Sequence, residues 1–256
     1  MKWLLFIALV IAGCAEAPRT APQGTRIVGH GGMGPDHEFP MNTLEAAEAC
    51  MASGADGVEL DVQLSADGVL VCYHAQDLSE LTNCSGLVHT HYWHPALFEC
   101  SYGDASGNFR LTALESISNI LDGTATLVLD CKLFTAGKDW TGYLQDFSQS
   151  LHDHVAKLDV PTTVHVECQV TEFLDLFKAG DSPFLTFYYA TAFEDGLRTA
   201  VAHGYDGITI HNDLITAAQV KHAQDSGLQV ALFGIDGNEE ADAMAKGADL
   251  LQLDDP

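Results

Sequence analysis

From Arg26 onward, short apolar runs alternate with stretches in which apolar residues recur every three or four positions. Compact apolar runs bounded by Gly, Asp or Asn read as buried strands, and the longer period reads as amphipathic helix. Strands are expected at 26–30, 57–65, 126–132, 162–169, 184–190, 207–211, 229–235 and 249–253. Helices are expected at 42–53, 111–122, 139–157, 171–179, 192–203, 214–226 and 238–246. Strands that alternate with helices pair in parallel, because each helix carries the chain back to the same end of the sheet. An internal echo supports this. Gly54-Ala55-Asp56-Gly57 leads into Val58-Glu59-Leu60, Gly204-Tyr205-Asp206-Gly207 into Ile208-Thr209-Ile210, and Gly247-Ala248-Asp249 into Leu250-Leu251. Each time a glycine stops a helix and a buried strand follows. Eight strands in 256 residues fit an α/β (βα)8 TIM barrel, and the pattern shows no helix after the last strand.

The flanks of this pattern carry other signals. Lys2 precedes a short apolar run, Leu4 to Ile11, too short to span a bilayer. The run ends in Ile11-Ala12-Gly13-Cys14, which resembles a bacterial lipobox. The expected organisation is a signal peptide at 1–13, a lipidated Cys14 with a linker at 14–25, and a barrel domain at 26–256. The protein is then exported, lipid-anchored to a bacterial membrane and facing the periplasm, with that anchor as its only membrane contact. Export permits disulfides. Cys50 falls in a helical pattern and is expected as a buried thiol, whereas Cys84 and Cys100 flank a polar loop and are expected to bridge. The polar, aromatic stretch 75–110 breaks the rhythm and contains His89, His91 and His94. That spacing suits a metal, but a histidine-rich loop surface is the plainer reading.

Asp and Glu number 36 against 11 Lys and Arg, a net charge of −25 at pH 7. Such a surface repels nucleic-acid backbones and offers no broad basic patch for anionic lipid. An anionic substrate therefore needs local positive charge, and a bound metal ion supplies it most simply.

Barrel chemistry sits at the C-terminal ends of the strands. His30 ends the first strand, and Glu59 and Asp61 lie two apart near the end of the second. Period two puts both carboxylates on one face. His74 ends the run Val69-Leu70-Val71-Cys72-Tyr73, and Asp130 and Lys132 end the third main strand, again on one face. Three carboxylates can hold one Ca²⁺ or Mg²⁺ through oxygen, Lys132 can offset phosphate charge, and His30 and His74 can act as base and acid. That set suits cleavage of a small-molecule phosphodiester. Glu167 and His211 also fall at strand ends and are candidates to line the pocket.

His30-Gly31-Gly32, Met41-Asn42-Thr43, Glu59-Leu60-Asp61, His74, Asp130-Cys131-Lys132 and the closing stretch Asp249 to Pro256 together resemble the glycerophosphodiester phosphodiesterase family. The resemblance implies Glu59, Asp61 and Asp130 as metal ligands, His30 and His74 as the catalytic pair, and Lys132 as a phosphate contact. It also places Phe233 where the family often has a tryptophan lining the site. The implied reaction is hydrolysis of glycerophosphodiesters to an alcohol and glycerol 3-phosphate. The chain departs from the family pattern at Gly31 (arginine), Met41 (glutamate), Ala75 (aspartate) and Asp130 (glutamate). Sphingomyelinase D-like enzymes share the barrel, lack that arginine and use an aspartate as third ligand. A phospholipase D-like enzyme acting on lysophospholipid headgroups is therefore the alternative, and a non-catalytic lipoprotein binding a phosphate ligand is a third reading.

Overall fold

The structure is a computed structural model that describes residues 24–103, 109–137, 139–158, 162–178, 180 and 182–256. The expected signal peptide, Cys14 and most of the linker lie outside the described residues. Ten strands form one sheet: β1 (Arg26–Gly29), β2 (Gly57–Leu64), β3 (Leu70–Cys72), β4 (Thr112–Ala113), β5 (Thr126–Cys131), β6 (Thr163–Cys168), β7 (Phe184–Ala190), β8 (Gly207–His211), β9 (Gln229–Ile235) and β10 (Leu250–Leu253). Eight of them pair in parallel in the order β1-β2-β5-β6-β7-β8-β9-β10, and β10 pairs back onto β1. The ring is closed, as the sequence pattern implied. The helices α1 (Leu44–Ser53), α2 (Leu114–Ser118), α3 (Trp140–Val155), α4 (Thr171–Leu174), α5 (Phe193–His203), α6 (Ala217–Asp225) and α7 (Glu240–Lys246) lie between strands, and none follows β10.

The sequence echo has a physical basis at the lower rim. Gly54, Gly204 and Gly247 close α1, α5 and α7 with positive φ of 99°, 68° and 72°. The aspartate two residues after each of these glycines then clamps an earlier strand. Oδ2 of Asp56, Asp206 and Asp249 accepts from the amides of Ile27, Thr186 and Val230, each at 2.8 Å. In return the three aspartate amides donate to the carbonyls of the same residues, at 2.7, 2.9 and 2.9 Å. Each clamp satisfies an amide near the start of its strand that the ladder leaves without a partner.

Register sets the barrel interior in layers. Glu59 pairs with Val128 and Val128 with His165, while Asp61 pairs with Asp130 and Asp130 with Glu167. Val28, Val128, Phe187, Ala231 and Leu250 form an apolar plug that includes the Val128 layer, beneath Asp61 and Asp130. His165 stacks on Phe187 with ring centroids 4.6 Å apart, and burial pushes its pKa down to about 3, so it stays neutral. The larger apolar layer lies outside the barrel, between strands and helices, around Phe147, Phe173, Phe177 and Phe184.

After β2 the chain leaves the barrel. β3 pairs antiparallel with β2, and β4 with β3. The helix expected over 111–122 is shortened to α2 because Thr112 and Ala113 are drawn into that edge pairing. Residues 73–102 wrap a second small core of Tyr73, Leu78, Val88, Leu97, Cys100, Tyr102 and Leu111. Cys84 and Cys100 are bridged, and Cys50 is a buried free thiol, both as expected. The three loop histidines part company: His89 packs on Tyr143, His91 contacts the Ser85 carbonyl, and His94 packs on Phe98. They form no metal cluster among the described residues.

Asp206 sits at the opposite end of β8 from the site, and Thr186 binds it through both its amide and its hydroxyl. Asp206→Ala is expected to cost about 1.5–3 kcal/mol of stability, the range for hydrogen bonds to a charged group. Catalytic turnover of the folded variant should be unchanged; urea unfolding and a rate measurement on one preparation check both.

Candidate active site

Glu59, Asp61 and Asp130 meet inside the upper mouth of the barrel, with one carboxylate oxygen from each lying within 4.8 Å of the others. Glu59 and Asp61 are each 2% exposed. Lys132, on the same face as Asp130 and just past the end of β5, places Nζ 2.7 Å from Asp130 and 2.9 Å from Asp61. The loop between β1 and α1 reaches across to the same carboxylates. The Gly31 amide donates to Glu59 Oε2 at 2.9 Å. Asn42 holds a left-handed backbone, φ 67°, which lets its side chain bond Asp61 twice. Its Nδ2 donates to Asp61 Oδ2 at 2.8 Å, and its Oδ1 accepts from the Asp61 amide at 2.9 Å.

His30 follows β1 directly, and its Nδ1 lies 2.7 Å from Asp254 Oδ1, just past β10. His74 follows β3 and is exposed, close enough to Asp61 and Asp130 for its charge to act on both. The backbone around it is pinned from below: Gln63 Nε2 donates to the Tyr73 and Ala75 carbonyls at 2.8 and 2.7 Å. All six chemical candidates from the strand ends are therefore brought to one end of the barrel. Phe233 lies at that end too, packed against Tyr189 at 5.1 Å and His211 at 5.2 Å between ring centroids. Glu167 occupies the same interior row as Asp61 and Asp130 but is not part of their cluster. Thr209 Oγ1 donates to it at 2.5 Å and Gln252 Nε2 at 3.0 and 3.1 Å. Burial and then the Asp130 charge push its pKa up to about 7.

The electrostatics show a cluster short of positive charge. Burial, then Asp61, holds Glu59 well above the usual carboxylate range, with His30 and the Gly31 amide only partly opposing. Asp130 is also raised, by burial first, despite Lys132. Asp61 alone is lowered: burial disfavours its charge, but Lys132, His74 and Asn42 outweigh that. Lys132 is raised above its ordinary value, since Asp130 and Asp61 overcome its burial. Three hard oxygen donors, crowded and undercompensated, are the donor chemistry that Mg²⁺ or Ca²⁺ requires. The cluster therefore fits a divalent cation on its own evidence.

Residues 30–255 match the glycerophosphoryl diester phosphodiesterase family. The chain belongs to that family. A glycerophosphodiester phosphodiesterase of Bacillus altitudinis is 42% identical over 116 residues, a stretch covering 43% of this chain and 45% of that relative. The family's fold agrees over nearly the whole length. An Oleispira antarctica phosphodiesterase, solved in complex with the product sn-glycerol-3-phosphate, superposes with a TM-score of 0.77 at 20% identity, covering 92% of this chain and 94% of that one. A glycerophosphodiester phosphodiesterase from Agrobacterium tumefaciens gives 0.69 at 21% identity, covering 91% and 97%.

Sequence reasoning assigned no role to Asn42, Gln63 or Asp254. Asn42 and Asp254 both lie in segments that carry the family resemblance, and Asn42 also carried a physical signal, as a residue suited to positive φ immediately before the helix-capping Thr43. The departure at Gly31 has a structural counterpart. Its φ is 55°, and a Cβ there would come within 2.7 Å of Met41 Cβ and 3.0 Å of Met41 Cγ. These two positions are thus one packing unit.

Gly31→Ala is expected to destabilise by about 1–3 kcal/mol, from left-handed strain and overpacking together. Met41→Ala should relieve part of that, leaving a coupling of about 0.5–3 kcal/mol in a double-mutant cycle; strict additivity would show the positions to be independent. A pH dependence follows from His30. Burial works against its charge, but the Asp254 hydrogen bond and the carboxylates of Glu59, Asp254 and Asp61 raise its pKa from 6.5 to about 9. The folded state therefore holds this proton more tightly than the unfolded chain. In chelator, that stabilisation is fully present below pH 6.5 and is lost as pH rises through about 9. Unfolding midpoints across this range should fall more steeply with pH in the parent chain than in His30→Gln, which keeps only the slope of the raised carboxylates such as Glu59 and Glu167.

Proposed function

We propose that the chain is a metal-dependent phosphodiesterase that hydrolyses glycerophosphodiesters to an alcohol and glycerol 3-phosphate. The observation that carries this is the Glu59, Asp61 and Asp130 cluster with Lys132 bridging two of its members. These three carboxylates would hold one Mg²⁺ or Ca²⁺, and the ion when bound would supply Lewis-acid polarisation of a phosphate oxygen. Lys132 is held by Asp61 and Asp130 at the mouth, where its ammonium neutralises phosphate charge. His30 takes the role of base or nucleophile through the ring nitrogen not engaged by Asp254, and His74, exposed on the substrate side, protonates the leaving alkoxide. Phe233 and Tyr189 offer an apolar wall for the rest of the substrate. The Oleispira antarctica neighbour's product supports glycerol 3-phosphate as a product here.

A lysophospholipid headgroup is the second reading. Leu81, Tyr92 and Phe98 are 45%, 63% and 43% exposed on the excursion that His74 introduces, and apolar surface of that kind suits an acyl chain. We also propose export and a lipid anchor at Cys14. The lipobox-like sequence supports it, and the Cys84–Cys100 bridge suits an oxidising compartment.

Phosphorus NMR of the purified chain with glycerophosphocholine or lysophospholipid, in Ca²⁺, Mg²⁺ or chelator, tests the reaction. Cation-dependent release of glycerol phosphate is expected, and His30→Ala or His74→Ala should each lower the rate at least ~10²-fold. A cyclic phosphate from lysolipid would favour the second reading. Cation binding without turnover of any diester would make the chain a binding protein and end the hydrolase proposal.

A further inference from the structure

Asp254 lies 224 residues from His30 in sequence, yet their side chains meet at 2.7 Å, each a quarter exposed. Its seat is built from three directions. The Asp254 amide donates to the Ile235 carbonyl at the end of β9 at 3.1 Å, and the His30 amide donates to the Leu253 carbonyl at the end of β10 at 2.8 Å. The turn after His30 closes the third side. Gly34 donates its amide to the His30 carbonyl at 2.8 Å, and with φ 73° it packs so closely that a Cβ would lie 2.6 Å from Asp254 Cα. A larger residue at 34 would push the aspartate out. The backbone of both partners is thus fixed before their side chains touch.

An ionised carboxylate only accepts hydrogen bonds, so the His30 nitrogen facing it must carry a hydrogen. Nδ1 is that nitrogen, which leaves Nε2 for the reaction. We infer that Asp254 is the positioning residue of His30: it fixes the Nδ1–H tautomer and the plane of the ring, and so aims Nε2 into the site. The inference rests on the proposed catalytic role of His30. The Asp254 carboxylate bonds His30 and no member of the carboxylate cluster among the described residues. Without it the imidazole is free to rotate and to move its hydrogen to Nε2, the form that cannot accept a proton there.

The test uses the full chain with Mg²⁺ or Ca²⁺, in two variants, Asp254→Ala and the near-isosteric Asp254→Asn. In glycerophosphocholine hydrolysis, Asp254→Ala should lower kcat about 10²-fold, with KM and the cation concentration for half-activity changed less than about twofold. Nitrogen-15 NMR of the histidine rings, recorded on the alkaline side of the His30 titration where the ring is neutral, should show the His30 hydrogen on Nδ1 in the parent chain, and that signature lost in Asp254→Ala. Asp254→Asn separates orientation from folding: a folded variant with an altered His30 signature and reduced kcat supports the inference. Unchanged kcat in Asp254→Ala, or an unchanged Nδ1 signature in both variants, overturns it. The NMR arm needs no substrate. A parent chain that hydrolyses nothing but loses the His30 signature in Asp254→Ala would sink the proposed reaction and leave the positioning role standing.

Discussion

Crowded carboxylates in the mouth of the barrel are the constraint around which the upper half of the protein is arranged. Two carboxylates two residues apart on β2 and a third on the neighbouring strand cannot all ionise in a buried site without compensation. The compensation comes from several elements at once. Lys132 lies between Asp61 and Asp130, Asn42 bonds Asp61 through both ends of its amide, and the Gly31 amide reaches Glu59. The need to reach these carboxylates gives the loop between β1 and α1 its unusual backbone, and Asn42 is the only non-glycine residue with positive φ among those described. Even so, Glu59 and Asp130 remain raised. The residual imbalance makes the cluster receptive to a cation rather than merely tolerant of one.

The two rims of the barrel divide the work. The lower rim carries three repeats of one clamp, at Asp56, Asp206 and Asp249, and beneath Asp61 and Asp130 an apolar plug excludes water from below. The upper rim carries the charge. Glu167 sits in the row shared with Asp61 and Asp130 but is claimed by Thr209 and Gln252. Those bonds tie β6, β8 and β10 across the interior and keep a fourth carboxylate out of the cluster.

Much of this was legible in the sequence because it is local. Strand periodicity put Glu59 beside Asp61 and Asp130 beside Lys132, and helix-stopping glycines marked the repeat. The Gly-x-Asp echo was visible as a pattern, but its purpose was not, since the aspartates bond residues that precede them by 29, 20 and 19 positions. Asp254 was legible as part of the closing stretch that resembles the family, but its partner was not, since only ring closure brings it to His30. Gln63 was hidden differently. It reads as one more polar residue on β2, and its role depends on the hairpin that folds Tyr73 and Ala75 back over it. The excursion was legible as a break in rhythm, while its own small core around Tyr73 and Tyr102 was not, because its apolar residues follow neither helical nor strand period.

The closure of β10 onto β1 also orders the assembly of the site in time. β2 and β5 are neighbours in the ring, and residues 65–125 join them, the longest connection between adjacent barrel strands yet far shorter than the span from β1 to β10. The seat of His30 depends on β1 meeting β10, a pairing across almost the entire domain. Contacts of high sequence separation form late, because the entropy of closing a long loop must be met first. A partly folded chain can therefore hold its carboxylate cluster while its His30 is still unseated.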